Sequence, residues 1–486
     1  MRINNSNNSN NSNNSSPRGT SLENDFRQII EDERFHDFAL KCSDGKIING
    51  CKAILAARSD FFYSYIFTES ENKNSCSFND INSTAMKIIL EYLYTSRIKK
   101  ENLTVNNVIE VYYASIYFEL IDLQDYIIKF TKISLIGDED VVKKLLSECV
   151  EKFSLNVDNE ISRILIDCVA KNKLEKTKID SLSLEGLRYL LEKTLDAQIP
   201  FATPEFDIWQ YTLAKVIRNV TSNETLEKIL REKSFSPCAS QEIEGIKNRL
   251  TPLIGYINLK RMDAKEIDQH VAPFDIYPAK SISDGYRSIS LNEDNEDEGL
   301  GFIRGVPIFK WKSNRQEQAL RFLPYNGSKD GFTVTELTQK SILGNLIFKG
   351  RGVYEWKILI EKLSKTVYIG ICDINEDLKK NDQDYHGWVL GSDGYVYHKG
   401  KWKWYDAKYK EGDIVTVHLD MKKRTCAFSI NNNKKPIVSE WNTIPSQIYP
   451  IVSLGHGSKL RIEPINSSNS ILPLYFYGNM PEIFIR

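Results

Sequence analysis

The chain has 486 residues, of which 41% are apolar and 11% aromatic, and a prior of roughly 150 residues per domain suggests three domains with buried cores. Charge is balanced, 64 Lys and Arg against 65 Asp and Glu for a formal net of −1, so the basic excess that neutralises phosphates is missing and nucleic-acid binding is not expected. No apolar run approaches the roughly 20 residues that span a bilayer, and the N-terminus lacks a charged-then-apolar signal pattern, so neither membrane insertion nor secretion is expected.

Asn4 to Ser15 are four consecutive Asn-Asn-Ser triplets with nothing apolar to bury, a composition that predicts disorder. The triplets fit the Asn-x-Ser acceptor pattern, but without a secretory signal glycosylation is not expected. From Leu22 the pattern turns globular. Leu22, Phe26, Ile29 and Ile30 repeat at helical spacing. Phe38-Ala39-Leu40 reads as a strand, and Ser43-Asp44-Gly45-Lys46 as the turn into Ile47-Ile48. Cys51 to Phe62 carries an apolar face through Ile54, Leu55 and Phe61. Met86, Ile89, Leu90 and Leu93 follow the spacing of a helix buried on one side, as does the segment from Val108 to Leu120.

From Asp138 to about Pro278 nearly everything reads as helix. Val141, Val142, Leu145, Leu146, Cys149 and Phe153 form one stripe, and Phe206, Trp209, Leu213 and Val216 another. Thr203 ahead of Pro204 predicts a capped helix start, and Thr221 with Glu224 a capping box. Ser281 to Gly299 reads as a polar spacer with an acidic cluster at Glu293, Asp294, Glu296, Asp297 and Glu298. From Phe302 the period becomes two. Tyr354, Trp356, Ile358 and Ile360 alternate with Glu355, Lys357 and Leu359. Val415, Val417 and Leu419 turn at Lys422-Lys423-Arg424 and return as Cys426, Phe428 and Ile430, with Asn431-Asn432-Asn433 as the next turn. Short strands joined by polar turns predict an antiparallel sandwich.

Catalytic chemistry finds little support. The eight cysteines, Cys42, Cys51, Cys76, Cys149, Cys168, Cys238, Cys372 and Cys426, are scattered without a CxxC pair, so they read as reduced thiols and not as zinc ligands. Gly455-His456-Gly457 lacks the further glycine of a dinucleotide loop, and the six histidines show no HExxH spacing. Asp384, His386 and Asp393 cluster without a nucleophile or an oxyanion device. Lys401-Trp402-Lys403-Trp404-Tyr405 interleaves basic and aromatic residues, as single-strand binders do, but alternation of core and surface in a hairpin accounts for it. No catalytic residue, cofactor or metal is expected.

Three ordered blocks carry a resemblance. His36-Asp37-Phe38-Ala39-Leu40, the run from Cys51 to Phe62, and Leu90-Glu91-Tyr92-Leu93-Tyr94-Thr95 resemble a BTB/POZ domain, with Cys51 where members commonly have His. Leu182-Ser183-Leu184-Glu185-Gly186-Leu187 and the Phe206 to Val216 helix resemble the BACK domain that often follows it. Gly352-Val353-Tyr354-Glu355-Trp356, Val367 to Ile371, Gly412 to Val415, Leu419-Asp420, Phe428 to Asn431 and Tyr449 to Val452 resemble a SPRY domain. The fold class implied is multidomain: an α+β BTB/POZ domain, an all-α BACK-like helical domain and an all-β SPRY-like antiparallel sandwich. The expected boundaries are a disordered tail over 1–20, BTB/POZ over 21–135, the BACK-like region over 136–278, an acidic linker over 279–301, the sandwich over 302–466 and an extension over 467–486.

The resemblance implies a non-catalytic adaptor of a cullin-RING ubiquitin ligase, in which BTB and BACK dimerise and dock the cullin and the SPRY domain holds a protein substrate. The alternative is a self-associating scaffold with no part in ubiquitination. Leu22, Phe26, Ile29 and Ile30 are the candidates for a homodimer face. Phe67, Thr68 and Glu69 are the candidates for cullin docking, as the apolar-x-Glu element that such domains carry, here a few residues early. Arg315, Tyr325, Tyr385, Lys399, Lys401 and Trp402 are the substrate-loop candidates, whereas Trp356, Trp388 and Phe428 fit core positions. The expected setting is intracellular, and cytoplasmic more than nuclear because no basic import cluster stands out.

Overall fold

The computed structural model of the chain describes residues 18–67, 73–135, 138–153, 158–176, 179–197, 199–291, 302–311, 320–321, 332–336, 340–350, 352–375 and 386–463. The chain divides into two compact units, Met1–Ser134 with Lys152–Ser154, and Leu135–Glu151 with Leu155–Arg486.

The first unit contains α1 (Leu22–Glu31), β1 (Phe38–Lys41), β2 (Ile47–Gly50), α2 (Lys52–Arg58), α3 (Asp60–Phe67), β3 (Ser75–Ser77), α4 (Ser83–Thr95), α5 (Val108–Tyr117) and α6 (Ile121–Ser134). The sheet runs β2-β1-β3, with β1 antiparallel to β2 and parallel to β3. Its hairpin turns at Gly45, whose φ of +75° few other residues adopt at low cost. Its ends are tied by the Cys42 N–H donating to the Lys46 carbonyl at 2.8 Å. The apolar stretch from Cys51 to Phe62 is two helices, because Ser59 is extended (φ −147°) between them. Asn82 caps α4 by accepting from the Ala85 N–H at 2.9 Å, and Met86, Ile89, Leu90 and Leu93 are buried as their spacing predicts. Phe62 stacks on Phe118 at 5.1 Å in a cluster that also holds Phe61 and Phe78.

In the second unit the helices come first: α7 (Glu139–Phe153), α8 (Glu160–Ala170), α9 (Leu184–Thr194), α10 (Glu205–Arg218), α11 (Asn223–Glu232), α12 (Ser240–Ile254), α13 (Ala264–His270) and α14 (Ala279–Leu291), with the short strand β4 (Pro200–Phe201) between α9 and α10. Two predicted caps are corrected. Pro204 itself occupies the N-cap position of α10, and the Thr203 hydroxyl accepts instead from the Leu174 N–H at 3.0 Å. The cap of α11 is Ser222, which accepts from the Thr225 N–H at 3.3 Å, while Thr221 donates to the Ile217 carbonyl of the preceding helix. The first part of the segment read as a polar spacer is helical, as α14. Ile282 and Tyr286 are half-buried, and Gly285 allows an approach that would bring an added Cβ within 3.2 Å of Ile267 and 3.3 Å of Leu259.

The strands follow: β5 (Val306–Pro307), β6 (Leu320–Arg321), β7 (Thr333–Glu336), β8 (Lys340–Leu343), β9 (Phe348–Lys349), β10 (Val353–Lys362), β11 (Tyr368–Asp373), β12 (Trp388–Gly391), β13 (Tyr395–His398), β14 (Lys401–Trp404), β15 (Ile414–Asp420), β16 (Thr425–Ile430), β17 (Asn433–Lys434), β18 (Gln447–Leu454) and β19 (Lys459–Glu463). Among the described residues one sheet runs β17-β16-β15-β10-β19-β7-β6. The other runs β14-β13-β12-β11-β18-β8, with β9 also paired to β18. Register follows the predicted alternation: Trp356 lies opposite Val417, and Val417 opposite Phe428, all buried. Phe348 stacks on Trp356 at 5.1 Å, joining the two inner faces. The opposite face of the second sheet holds another buried cluster, Tyr368, Cys372, Val389 and Ile451, with Tyr397 packed against it.

The segment 302–308 ties the sandwich to the helices. The Phe302 carbonyl accepts from the Glu205 N–H at 2.9 Å, and β5 pairs in parallel with β4. Gly305, at φ +64°, passes so close to Ile199 that a Cβ would stand 2.3 Å from its carbonyl oxygen. Arg304, fully buried, ion-pairs with buried Glu205 at the start of α10 and donates to the carbonyls of Leu191 at 3.1 Å and Tyr256 at 2.8 Å. Lys349 of β9 pairs with Glu266 of α13, whose carboxyl burial nonetheless pushes above its ordinary range.

Replacing Arg304 with Met leaves a buried carboxylate without its partner, which costs about 3–5 kcal/mol. Urea unfolding of Arg304→Met is expected to show that loss. The double variant Arg304→Met with Glu205→Leu is expected to regain most of it, and no recovery would mean that the pair is not the source of the loss.

Candidate functional site

The candidate dimer face lies on α1. Ser21 caps the helix by accepting from the Asn24 N–H at 3.4 Å, and α1 packs on α4. Leu22 is 74% exposed, while Phe26, Ile29 and Ile30 are half-buried, so the helix spends part of its apolar face within its own subunit and leaves part open. Glu91 of α4 holds it in place. That buried carboxylate ion-pairs with Arg27 and accepts from the Lys99 N–H at 3.0 Å and the Asn102 amide at 2.6 Å. Glu23 joins the network through Arg27 at 3.0 Å and Arg97 at 3.3 Å.

Of the cullin-docking candidates, Phe67 ends α3 and is 62% exposed; Thr68 and Glu69 lie outside the described residues. Phe67 makes an edge contact with Tyr63 one turn earlier, at 5.5 Å, and Tyr63 is also exposed. The inner side of the same helix is fixed by Phe62 and Ile66, both buried. Two exposed aromatics at i, i+4 on a helix anchored by its other face make a small contact patch.

Of the substrate-loop candidates, Arg315, Tyr325 and Tyr385 lie outside the described residues, whereas Lys399, Lys401 and Trp402 come together on the hairpin β13–β14. Lys399 (φ +46°) and Gly400 (φ +75°) form its two-residue turn, the type I′ geometry that suits the twist of paired strands. The expectation that Lys401 to Trp404 alternates between core and surface is corrected: all four residues are exposed, because β14 is the last strand of its sheet. Trp402 and Trp404 share one face with Tyr395, whose ring makes edge contacts with them at 5.5 and 5.0 Å. Lys408 lies over the Trp404 ring at 5.4 Å, and Lys403 pairs with Glu440. Beneath, Trp388 stacks on His398 at 4.2 Å and anchors the hairpin to the core.

Sequence reasoning missed Tyr63, Glu91, Tyr395 and Trp404 as members of these surfaces. Tyr63 was legible at helical spacing from Phe67. Glu91 was hidden inside an apolar helix pattern and shows its role only through partners 64 residues before it and 8 to 11 after it. Trp404 is not singled out in the sequence, because core-and-surface alternation accounts for the 401–405 stretch as a whole.

As to reactive groups, the cysteines are free thiols, and burial pushes Cys149 up to about 12 and raises Cys42 and Cys76. Asp393 accepts from the Tyr397 hydroxyl, Asp384 lies outside the described residues, and no cluster suited to a metal ion occurs among the described residues. No described helix is long and apolar enough to cross a membrane.

The BTB/POZ domain family matches residues 26–134, and the SPRY domain family matches residues 351–466. The chain is similar to zinc finger and BTB domain-containing protein 44 of Mus musculus, 32% identical over 107 residues, covering 22% of this chain and 23% of that protein. The Homo sapiens protein of that name is 31% identical over 107 residues, covering 22% of this chain and 18% of that protein. This chain thus spans about a quarter or less of the length of these relatives. Among solved structures, the SPRY domain of human HERC1 matches at 20% identity and a TM-score of 0.26, covering 31% of this chain and 94% of that one. The TRIM65 PSpry domain matches at 12% identity and a TM-score of 0.25, covering 32% and 90%.

The hairpin turn generates a stability test. Asn tolerates the left-handed region better than Lys, whose residue class pays about 1–2 kcal/mol there. Lys399→Asn is expected to raise the urea midpoint by an amount worth a few tenths to about 1 kcal/mol. A lowered midpoint would show that Lys399 is not strained at this turn.

Proposed function

We propose that this chain, which joins a BTB/POZ domain to a SPRY domain through a BACK-like helical region, is a non-catalytic adaptor that recruits a protein substrate to a cullin-RING ubiquitin ligase. Both domains are protein-interaction domains, and their presence on one chain is the observation that carries the reading. In this scheme the BTB half self-associates through α1 and docks the cullin near Phe67, the hairpin end of the sandwich holds the substrate, and the protein works inside the cell, in the cytoplasm. Exposed Leu22, Phe67 and Trp402 support the three roles, since apolar anchors at a surface are what partners desolvate. The free thiols suit a reducing compartment.

A second reading is a self-associating scaffold with no part in ubiquitination. It is favoured by the sequence position of Phe67-Thr68-Glu69, a few residues earlier than the apolar-x-Glu element that cullin-binding BTB domains often carry.

Calorimetric titration of the full chain with the N-terminal domain of a BTB-binding cullin separates the two. The adaptor reading expects sub-micromolar binding near one cullin per chain, weakened tenfold or more by Phe67→Ala. No binding by a folded dimer leaves the scaffold. Light scattering tests the dimer on its own terms: Leu22→Asp, at an exposed position, is expected to shift the mass toward that of one chain with the circular dichroism unchanged. An unchanged mass would remove α1 as the interface.

A further inference from the structure

An edge strand leaves a row of backbone donors and acceptors unpaired. In the second sheet β14 is such a strand, joined among the described residues to β13 alone. The two-residue turn sets which groups point where. His398 with Lys401 and Val396 with Lys403 are the hydrogen-bonded pairs, and the next such pair is marked by the Tyr405 N–H donating to the Gly394 carbonyl at 3.0 Å. The N–H and C=O groups of Trp402 and Trp404 therefore point away from β13, to the open side, and none has a backbone partner among the described residues.

The side chains divide by face. Trp402 (67% exposed) and Trp404 (46% exposed) form an aromatic shelf with Tyr395, while Lys401 and Lys403 stand on the other face and Lys399 at the turn. Lysines on an edge oppose pairing with a second copy, because they would be brought against their own equivalents. They favour a strand that brings carboxylates. Glu440 already shows the preference by pairing with Lys403.

We propose that β14 is a strand-addition site for an extended segment of a partner protein in which acidic residues alternate with apolar ones. The segment's backbone completes the ladder at Trp402 and Trp404, its apolar side chains cover the aromatic shelf, and its carboxylates meet Lys401 and Lys403. This rests on the reading that the sandwich binds protein, and it adds the strand, the conformation and the chemistry of what is bound.

A displayed library of random dodecapeptides panned on the full chain tests it, with the selected peptides then synthesised and titrated. The expected consensus alternates Asp or Glu with Val, Ile, Leu or an aromatic residue. Affinity is expected to fall tenfold or more with Lys401→Glu plus Lys403→Glu, with Trp402→Ala, and with peptides N-methylated at the amides that would face the edge. All these positions are exposed, and circular dichroism verifies that the variants fold. Peptides that bind without sensitivity to any of these changes would overturn the strand-addition site while leaving a protein-binding sandwich in place. An empty selection would count against both. Light scattering of Trp402→Ala covers the remaining occupant: a loss of self-association would mean that a second copy takes the edge, which also overturns the proposal.

Discussion

The buried pair of Arg304 and Glu205 is the constraint on which the second unit depends. Both side chains are withdrawn from water, and the desolvation of two charges is offset only where geometry leaves no hydrogen-bonding group idle. All three guanidinium nitrogens are used here: Nε on Glu205, one terminal nitrogen on Leu191 and Thr194, the other on Glu205 and Tyr256. Glu205 in turn accepts from the Asn258 N–H at 2.8 Å. Moving the sandwich against the helices would leave several buried polar groups unmatched together, so one arrangement is selected against near neighbours. The parallel pairing of β4 with β5, the approach that only Gly305 permits, and Lys310 reaching Glu139 at 2.7 Å and Asn172 at 2.8 Å enforce that arrangement. The sandwich is accordingly held on the helical region as on a mount, not tethered to it by a linker.

The same logic operates at smaller scale in the first unit. Glu91 sits on an otherwise apolar helix, where a lone carboxylate would be costly, and it is kept there by partners from α1 and from the 97–102 loop. One charge thus orients α1, whose remaining apolar surface is then displayed at a defined angle on α4. In the first unit a buried ionic group fixes the helix that carries exposed Leu22, and in the second one fixes the segment that joins the sandwich to the helices. Precise presentation of a surface needs this, because hydrophobic contact alone does not choose between closely related packings.

What was legible in the sequence follows from how local each signal is. Period-two alternation located β10, β15 and β16, and the register confirmed which side chains face inward, because burial on one face is a property of the strand itself. The BTB/POZ and SPRY resemblances were visible for a related reason: each is carried by short contiguous blocks. Three kinds of feature were not. The caps of α10 and α11 were displaced by a single residue, since Thr203 and Thr221 find partners outside the helices they precede. Helix α14 reads as a spacer because its polar composition and the acidic run after it hide a short inner stripe, of which Ile282, Gly285 and Tyr286 are the described members. The exposure of both faces of β14 was not legible, because alternation presumes that one face of a strand is covered, and sheet order is not written in the strand. Of the candidate site residues, the hairpin members converge because a two-residue turn places Lys399, Lys401 and Trp402 together; nothing local predicted that Tyr395 and Trp404 would complete the shelf.

Self-association would double the strand edge. If chains pair through α1 as proposed, each dimer carries two β14 edges, and each edge is fixed on its own helical region by the Arg304 anchor. A second edge on the same assembly raises the effective concentration of the site for a partner that carries two such segments, without any new contact. The arrangement therefore favours partners whose own extended segments recur, as in a symmetric dimer, over partners with a single copy. Valency from the first unit and the chemistry of the strand in the second would then act together.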